Sequence, residues 1–203
     1  MPGGRLGEIS GGAMLDSLAR LGRTPADIEA VAFTHLHIDH IGWAWLPVPG
    51  TGTLAFAHAD HLVAEPEWTH RHLLEQHGIT KEMTALMEPK VRTVAEGEEI
   101  FPGVHVMLTP PATPRATPRT SSRAAAQRLI AFGDAMHSPV QADRPEWPAA
   151  VDHDPEEAAV FRRRLVEEMS EPNTLGFGAH FADVVFGRVR TDGEGPAWEP
   201  VDA

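Results

Sequence analysis

The stretch Thr34-His35-Leu36-His37-Ile38-Asp39-His40 decides how the rest of the chain is interpreted. It directly follows an apolar run that is typical of a buried strand. In an extended backbone, residues i and i+2 lie on one face, so His35 and His37 can converge on one ion. If a helix begins after His37, Asp39 and His40 turn to another side and can serve a second ion. Zinc is the expected metal, with iron or manganese as alternatives.

Composition limits which groups can hold such an ion. The chain has no cysteine, so thiolate metal sites and cysteine nucleophiles are excluded, and any metal must be held by histidine, aspartate or glutamate. Twelve histidines are available. The formal charge of −12 repels phosphate backbones and argues against nucleic-acid binding.

The 203 residues are expected to form a single domain over residues 1–203. No apolar run approaches the roughly 20 residues that a membrane span requires, so no membrane association is predicted. The first residues, Met-Pro-Gly-Gly-Arg-Leu-Gly-Glu, carry no hydrophobic segment of a secretory signal. The predicted location is therefore the cytoplasm.

Local patterns predict an α/β or α+β layered domain. We expect helices at residues 13–21, 66–76, 81–87 and 155–169, and strands at residues 30–34, 53–57, 104–109, 128–132, 174–179 and 184–189. Thr80 and Asp154 are the expected N-caps of the third and fourth helices. Four prolines at residues 110–122 argue against a regular strand or helix there. The triplet Arg162–Arg164 is assigned to the polar face of its helix, and the tail 191–203 is expected to be flexible.

Three motifs occur in the order found in one known family. The His-x-His-x-Asp-His sequence at residues 35–40 resembles the signature of metallo-β-lactamase-fold hydrolases. The segment 133–141 resembles the one that supplies the family's bridging aspartate, and Gly178-Ala179-His180-Phe181 resembles its final histidine segment. The resemblance extends over residues 10–190 and is strongest to the branch of lactonases, arylesterases and organophosphate hydrolases.

This resemblance implies a four-layer αββα sandwich and two metal subsites. By analogy, His35 and His37 belong to the first subsite, Asp39, His40 and His180 belong to the second, and Asp134 bridges the two. It implies one or two divalent ions and a metal-bound water as nucleophile, attacking a carbonyl or phosphoryl centre. Asp39 is the implied catalytic residue, orienting the water or passing its proton to the leaving group.

Two of these positions also have support from their local sequence. Asp134 follows an apolar run through Gly133, which places a carboxylate at the end of a predicted strand. An aspartate in an ordinary turn is the alternative. His180 follows a glycine-containing strand, where close backbone approach is permitted. His137 receives no ligand assignment: a supporting role, a substrate contact and plain surface exposure all remain open.

The sequence departs from the family pattern in the loop that normally carries further histidines. Alanine stands at both corresponding positions, Ala112 and Ala116. We therefore expect one metal to bind tightly at Asp39, His40, Asp134 and His180 and another to bind weakly or not at all. His58 and His105 are alternative ligands, although exposed or structural histidines are the more ordinary interpretation.

A second departure precedes the motif. Only 34 residues come before His35, and they contain a predicted helix and glycine-rich stretches where the resemblance implies several strands. Part of the N-terminal sheet is therefore predicted to be absent. Either the chain is a truncated or divergent product, or a homo-oligomer covers the apolar face that would be left open.

Two functions follow from these observations. The first is a metal-dependent hydrolase that acts on a small-molecule ester, lactone or phosphotriester. The alternative is a degenerate member that binds metal or ligand with weak or no catalysis, which Ala112 favours. Trp43, Trp45 and Trp68 either line an apolar pocket or belong to the core.

Overall fold

The strands that the structure describes form two sheets, one in each of two compact units that comprise residues 1–93 and 94–203. The computed structural model describes residues 12–108, 118–124, 127–152 and 154–201. No helix within these ranges has both the length and the apolar character needed to span a membrane.

The first unit contains a three-stranded sheet in the order β1-β2-β3, in which β1 and β2 run parallel. Its strands are β1 (Ala30–Ala32), β2 (Asp60–Ala64) and β3 (Val91–Val94). Its helices are α1 (Met14–Arg20), α2 (Gly42–Trp45), α3 (Glu65–Thr69) and α4 (Lys81–Met87). Short 3₁₀ segments cover Pro25–Asp27, Arg71–His77 and Glu88–Lys90.

Apolar side chains of α2, β2 and α4, of the segment between β1 and α2, and of the 3₁₀ segment and turn before α4 build the core of this unit. The buried members are Phe33, Leu36, Ile41, Ala44, Val63, Leu74, Ile79 and Met87. Burial of each large aliphatic or aromatic side chain contributes about 1.5–3 kcal/mol. Trp45 and Trp68 pack against this core, and Trp43 packs against a smaller cluster around Phe56. All three tryptophans therefore take part in core packing.

The second unit contains a seven-stranded sheet in the order β10-β9-β8-β7-β6-β5-β4. Its strands are β4 (Glu99–Phe101), β5 (Val104–Leu108), β6 (Pro118–Ala124), β7 (Gln127–Ala131), β8 (Thr174–Phe177), β9 (Phe186–Arg190) and β10 (Ala197–Pro200). The β7–β8 pair is parallel, and the other pairs are antiparallel. Its helices are α5 (Val140–Asp143) and α6 (Pro155–Met169), with 3₁₀ turns at Gly133–Ala135 and Ala182–Val184.

Helix α6 lies in the crossover that the parallel pair requires. It begins as predicted, because the carboxylate of Asp154 accepts a hydrogen bond from the N–H of Glu157 at 3.0 Å. Its apolar face, with Phe161 and Leu165, packs against Ile130 and Phe132 of the β7 segment. The strand that leads to Asp134 is therefore fixed by both sheet pairing and helix packing.

Four local predictions were wrong. Residues 53–57 form turns, because their buried side chains fill a small cluster and only Leu54 makes a strand-like bridge, to Pro47. Residues 118–122 belong to β6, which tolerates Pro118 as its first residue; the proline-rich residues 109–117 lie outside the described ranges. Part of the supposedly flexible tail forms β10 against β9. Arg162 is fully buried on the inner face of α6.

Two further differences concern strands. The sequence analysis missed β2, β3, β4 and β10, of which β2 is largely buried. Before His35, the described residues 12–34 contribute one helix, one 3₁₀ turn and the three-residue strand β1. This agrees with the prediction that a helix occupies the region where the resemblance implies several strands.

Candidate metal centre

The His-x-His-x-Asp-His segment forms a tight turn just after β1 in the first unit. Strand pairing continues one residue beyond β1, because the N–H of Phe33 donates to the carbonyl of Leu62 at 3.0 Å. The chain then leaves the sheet and turns, with the N–H of His40 donating to the carbonyl of His37 at 3.0 Å. The end of a buried strand followed by a turn therefore brings the four polar side chains together.

Three imidazoles of this segment are in contact. Nε2 of His35 and Nδ1 of His37 are 2.8 Å apart, and the ring centroids of His35 and His40 are 4.2 Å apart. Nε2 of His40 lies 3.6 Å from Oδ2 of Asp39. His35 is only 2% exposed, whereas the Asp39 side chain is 45% exposed. The cluster is thus anchored in the interior and open at its carboxylate.

A buried glutamate that the sequence analysis missed fixes the main chain of this segment. Oε1 of Glu67, in α3, accepts a hydrogen bond from the N–H of Leu36 at 2.9 Å. Glu67 is 1% exposed. It lies 31 residues away along the chain, so no local pattern connects it with the histidines.

Asp134 lies at the end of β7 in the second unit. The parallel ladder with β8 continues through the N–H of Phe132, which donates to the carbonyl of Phe177 at 3.1 Å. Gly133 then takes a φ of +50°, which favours glycine, and opens the 3₁₀ turn that carries Asp134. Parallel strands end at the same edge, so His180, just beyond β8, approaches Asp134.

Two histidines flank the Asp134 carboxylate. Nε2 of His180 lies 3.0 Å from Oδ1, and Nε2 of His137 lies 3.5 Å from Oδ2. The two imidazole rings are stacked, with centroids 5.1 Å apart and planes inclined by 19°. One ligand atom from each of the three residues lies within 4.8 Å of the other two, which is a separation that one metal ion can bridge.

Neighbouring residues hold this second cluster in place. Oε1 of the buried Gln141 accepts hydrogen bonds from the N–H groups of His137, at 2.7 Å, and Ser138, at 3.3 Å. Gly178 packs so closely that an added Cβ would lie 2.5 Å from Cζ of Phe132. Gln141 lies in the segment 133–141 that carries the family resemblance, but its hydrogen bonds to His137 and Ser138 are seen only in the structure.

The donor chemistry of both clusters fits a divalent transition metal. Imidazole nitrogens and carboxylate oxygens are ordinary ligands of zinc, iron and manganese. In the first unit His35, His37, Asp39 and His40 lie together, and in the second unit Asp134 and His180 do. His137, which had no assignment, joins the second group. His58 and His105 are exposed and belong to neither cluster; Ala112 and Ala116 lie outside the described ranges.

A buried histidine outside the clusters has a perturbed pKa. His61 of β2 is almost fully buried, and its ring contacts Phe33 edge to face at a centroid distance of 5.4 Å. Burial lowers the pKa of His61 below its usual value of 6.5, because a charged imidazolium loses hydration there.

A sequence profile described as the metallo-beta-lactamase superfamily matches residues 2–180. The chain belongs to the metallo-beta-lactamase superfamily. The match includes the His-x-His-x-Asp-His segment and the Asp134 and His180 segments. A search of curated protein sequences gives no significant match.

Solved structures have the same metallo-beta-lactamase fold. AidC, a dizinc quorum-quenching lactonase in complex with the product N-hexanoyl-L-homoserine, has a TM-score of 0.79 and 21% identity, covering 100% of this chain and 74% of its own. The hydrolase AbOPH has a TM-score of 0.72 and 23% identity, covering 95% and 70%. A probable metal-dependent hydrolase from Staphylococcus aureus has a TM-score of 0.73 and 18% identity, covering 94% and 68%. These similarities establish the α/β fold class.

Proposed function

We propose that this superfamily member is a metal-dependent hydrolase of a small-molecule ester, lactone or phosphotriester. Its metal ligands are His35, His37, Asp39, His40, Asp134 and His180. The observation that carries the proposal is that each unit clusters imidazoles and a carboxylate just beyond the ends of its strands, within the residues that the family profile matches.

The ion is expected to be zinc, with iron or manganese as alternatives, and one or two ions per chain. A divalent ion bound there supplies Lewis acidity, which polarises a carbonyl or phosphoryl group and lowers the pKa of water towards neutrality. The dizinc lactonase among the structural relatives supports this choice of metal. Its N-hexanoyl-L-homoserine product supports a small-molecule ester or lactone as substrate.

The protein side chains have separate roles in the proposed reaction. The buried His35 and His37 fix the site to the core, since they are held by the strand end and by the main-chain contact of Glu67. Asp39 is exposed enough to reach a bound substrate, and we assign it the role of orienting water and passing a proton to the leaving group. Nε2 of His40 lies 3.6 Å from Oδ2 of Asp39, which brings the two side chains close enough to serve one ion.

The alternative function is a degenerate member that binds metal or ligand without efficient turnover. The observation in its favour is Ala112, which stands where the family resemblance places a metal-binding histidine. The two functions differ in turnover, whereas both require a metal or ligand site.

Metal content tests the proposal first. Protein purified without chelator is analysed for metals, together with Asp134→Ala and the exposed-histidine control His105→Ala. We expect about one or two equivalents of zinc, iron or manganese in the wild type and in the control, and loss of metal in Asp134→Ala. The loaded protein is then assayed on a nitrophenyl ester, an N-acyl homoserine lactone and a phosphotriester.

The activity assay separates the two functions. Turnover that falls about 10²–10⁴-fold in Asp39→Asn, with its metal content retained, agrees with a proton-transfer role for Asp39. Metal without turnover on any of the three substrate classes indicates the degenerate member. A wild-type protein that neither contains nor takes up metal contradicts the hydrolase proposal.

A further inference from the structure

His137 is the imidazole next to Asp134 that the family resemblance leaves without a role. Its main-chain N–H is held by the buried side chain of Gln141 at 2.7 Å, so the turn that carries it is fixed. Its ring is stacked on that of His180. Gln141 thus holds the main chain of His137, and His180 contacts its ring.

Neither ring nitrogen of His137 makes a strong hydrogen bond to a described residue. Nδ1 of His137 is buried and has no hydrogen-bond partner among the described residues. The other nitrogen, Nε2, lies 3.5 Å from Oδ2 of Asp134, which is too long for a strong hydrogen bond.

The same distances suit ligands of one metal ion. Zinc binds histidine nitrogen and carboxylate oxygen at about 2.0–2.1 Å, so tetrahedral ligand atoms stand about 3.3–3.4 Å apart. Each imidazole lies near that separation from one oxygen of the Asp134 carboxylate: Nε2 of His180 is 3.0 Å from Oδ1, and Nε2 of His137 is 3.5 Å from Oδ2.

We propose that His137 is a direct metal ligand, so that Asp134, His137 and His180 together hold one divalent ion within the second unit. This inference rests on the proposed function, because both place an ion at Asp134. The inference adds the imidazole of His137 to the metal ligands. In this chain, alanine stands at the two loop positions, 112 and 116, where the family resemblance places histidines.

Replacement of the ring by ligand-competent and ligand-incompetent groups tests this assignment. His137→Phe keeps a ring to stack on His180 but has no donor atom, whereas His137→Asp restores a donor without a ring. His105→Phe, at an exposed position of β5, is the matched control. Zn²⁺ affinity is measured by competition with a chromophoric chelator, and Co²⁺ substitution reports coordination through its visible absorption.

We expect the Zn²⁺ affinity of His137→Phe to be at least about tenfold lower than that of the wild type. Loss of a residue that only supports a ligand already lowers metal affinity by about tenfold or more. The Co²⁺ absorption should change in position or intensity in this variant. His137→Asp should bind within about tenfold of the wild type, and His105→Phe should be unchanged. Thermal unfolding of the metal-free proteins shows whether each variant still folds.

The outcomes distinguish this proposal from the hydrolase proposal. Wild-type affinity and an unchanged Co²⁺ spectrum in a folded His137→Phe would overturn the ligand role but leave the hydrolase intact. If His137→Phe does not fold, the test relies on His137→Asp. Unaltered Co²⁺ absorption in that variant contradicts the ligand role. Altered absorption with retained affinity supports it. A metal site that depends on His137 in a protein without turnover supports the ligand and contradicts the hydrolase.

Discussion

Glu67 shows how a single residue outside the metal ligands controls their placement. Its Oε1 accepts from the N–H of Leu36, between His35 and His37, and the carboxyl group is buried. Removal of this acceptor leaves a buried N–H without its partner, and the loop that carries the two histidines loses its attachment to α3.

We predict that Glu67→Ala lowers the free energy of unfolding by about 1–3 kcal/mol, the cost of leaving a buried N–H group without its partner. Glu67→Gln keeps an acceptor oxygen and should lose less. Urea unfolding of the metal-free proteins measures both. Equal loss in the two variants would show that the hydrogen bond to Leu36 is not the cause.

Gly178 is a second residue at which a substitution is expected to lower the stability of the protein. A Cβ there would overlap the Phe132 ring at 2.5 Å, immediately below the turn that carries His180. We predict that Gly178→Ala costs about 1–3 kcal/mol of stability through overpacking. Gly193→Ala is the control, because nothing lies within 4 Å of its added Cβ. Thermal unfolding compares the two, and an unchanged Gly178→Ala contradicts the prediction.

Sequence motifs identified side chains of the site and missed the residues that hold them. The residues of the first cluster occur within one short motif, so their grouping follows from local sequence, whereas Asp134 and His180 are brought together by the pairing of β7 with β8. Glu67 contacts the motif across 31 residues, and Gln141 acts through its position after a turn. The Glu67 contact depends on tertiary structure, which no local pattern indicates. The Gln141 contacts span only three and four residues, but they depend on the geometry of the turn.

Among the secondary-structure elements, α6 is attached by a buried ion pair. Nη1 of Arg162 donates to Oδ2 of Asp152 at 2.9 Å, and its Nε donates to the carbonyl of Pro145 at 2.7 Å. These bonds hold the segment that precedes the helix against its inner face.

We predict that Arg162→Met destabilises the protein by about 3–5 kcal/mol, because it leaves the Asp152 carboxylate buried without its cation. Arg163→Met, one position along on the exposed face, should change stability by less than about 0.5 kcal/mol. Urea unfolding measures both variants. Similar small losses in the two would show that the pair is dispensable.

Elements with local end signals were predictable, whereas elements defined by pairing were not. Helices α4 and α6 begin at residues whose side chains cap them, Thr80 and Asp154, and both match the prediction. Strand β10 has no comparable signal, because its position depends on register with β9. The periodicity of α6 also assigned Arg162 to the polar face, although long-range pairing with Asp152 overrides that rule.

At the scale of the whole molecule, His61 couples stability to pH. Its pKa is lowered in the folded state, so the unfolded chain binds the proton more tightly. The stability that the neutral ring contributes is complete above the unfolded value of about 6.5 and is lost as the pH falls through the folded value.

We predict that the free energy of unfolding falls between pH 7.5 and pH 5.0, and falls less in His61→Leu. His58→Leu, which removes an exposed histidine, should keep the wild-type dependence. Denaturation midpoints at the two pH values measure the difference. An equal decrease in His61→Leu and the wild type would assign the pH dependence to other groups.

The hydrogen bond from the N–H of Phe132 to the carbonyl of Phe177 also allows metal binding at the second cluster to be measured. It is the last bond of the parallel ladder before the chain reaches Asp134 on one side and His180 on the other. The Phe132 amide proton can exchange with solvent deuterium only when these two segments separate. An ion that binds both side chains must oppose that separation, so each 1.4 kcal/mol of binding slows exchange by about tenfold. This single proton thus records occupancy of the centre without any substrate being known.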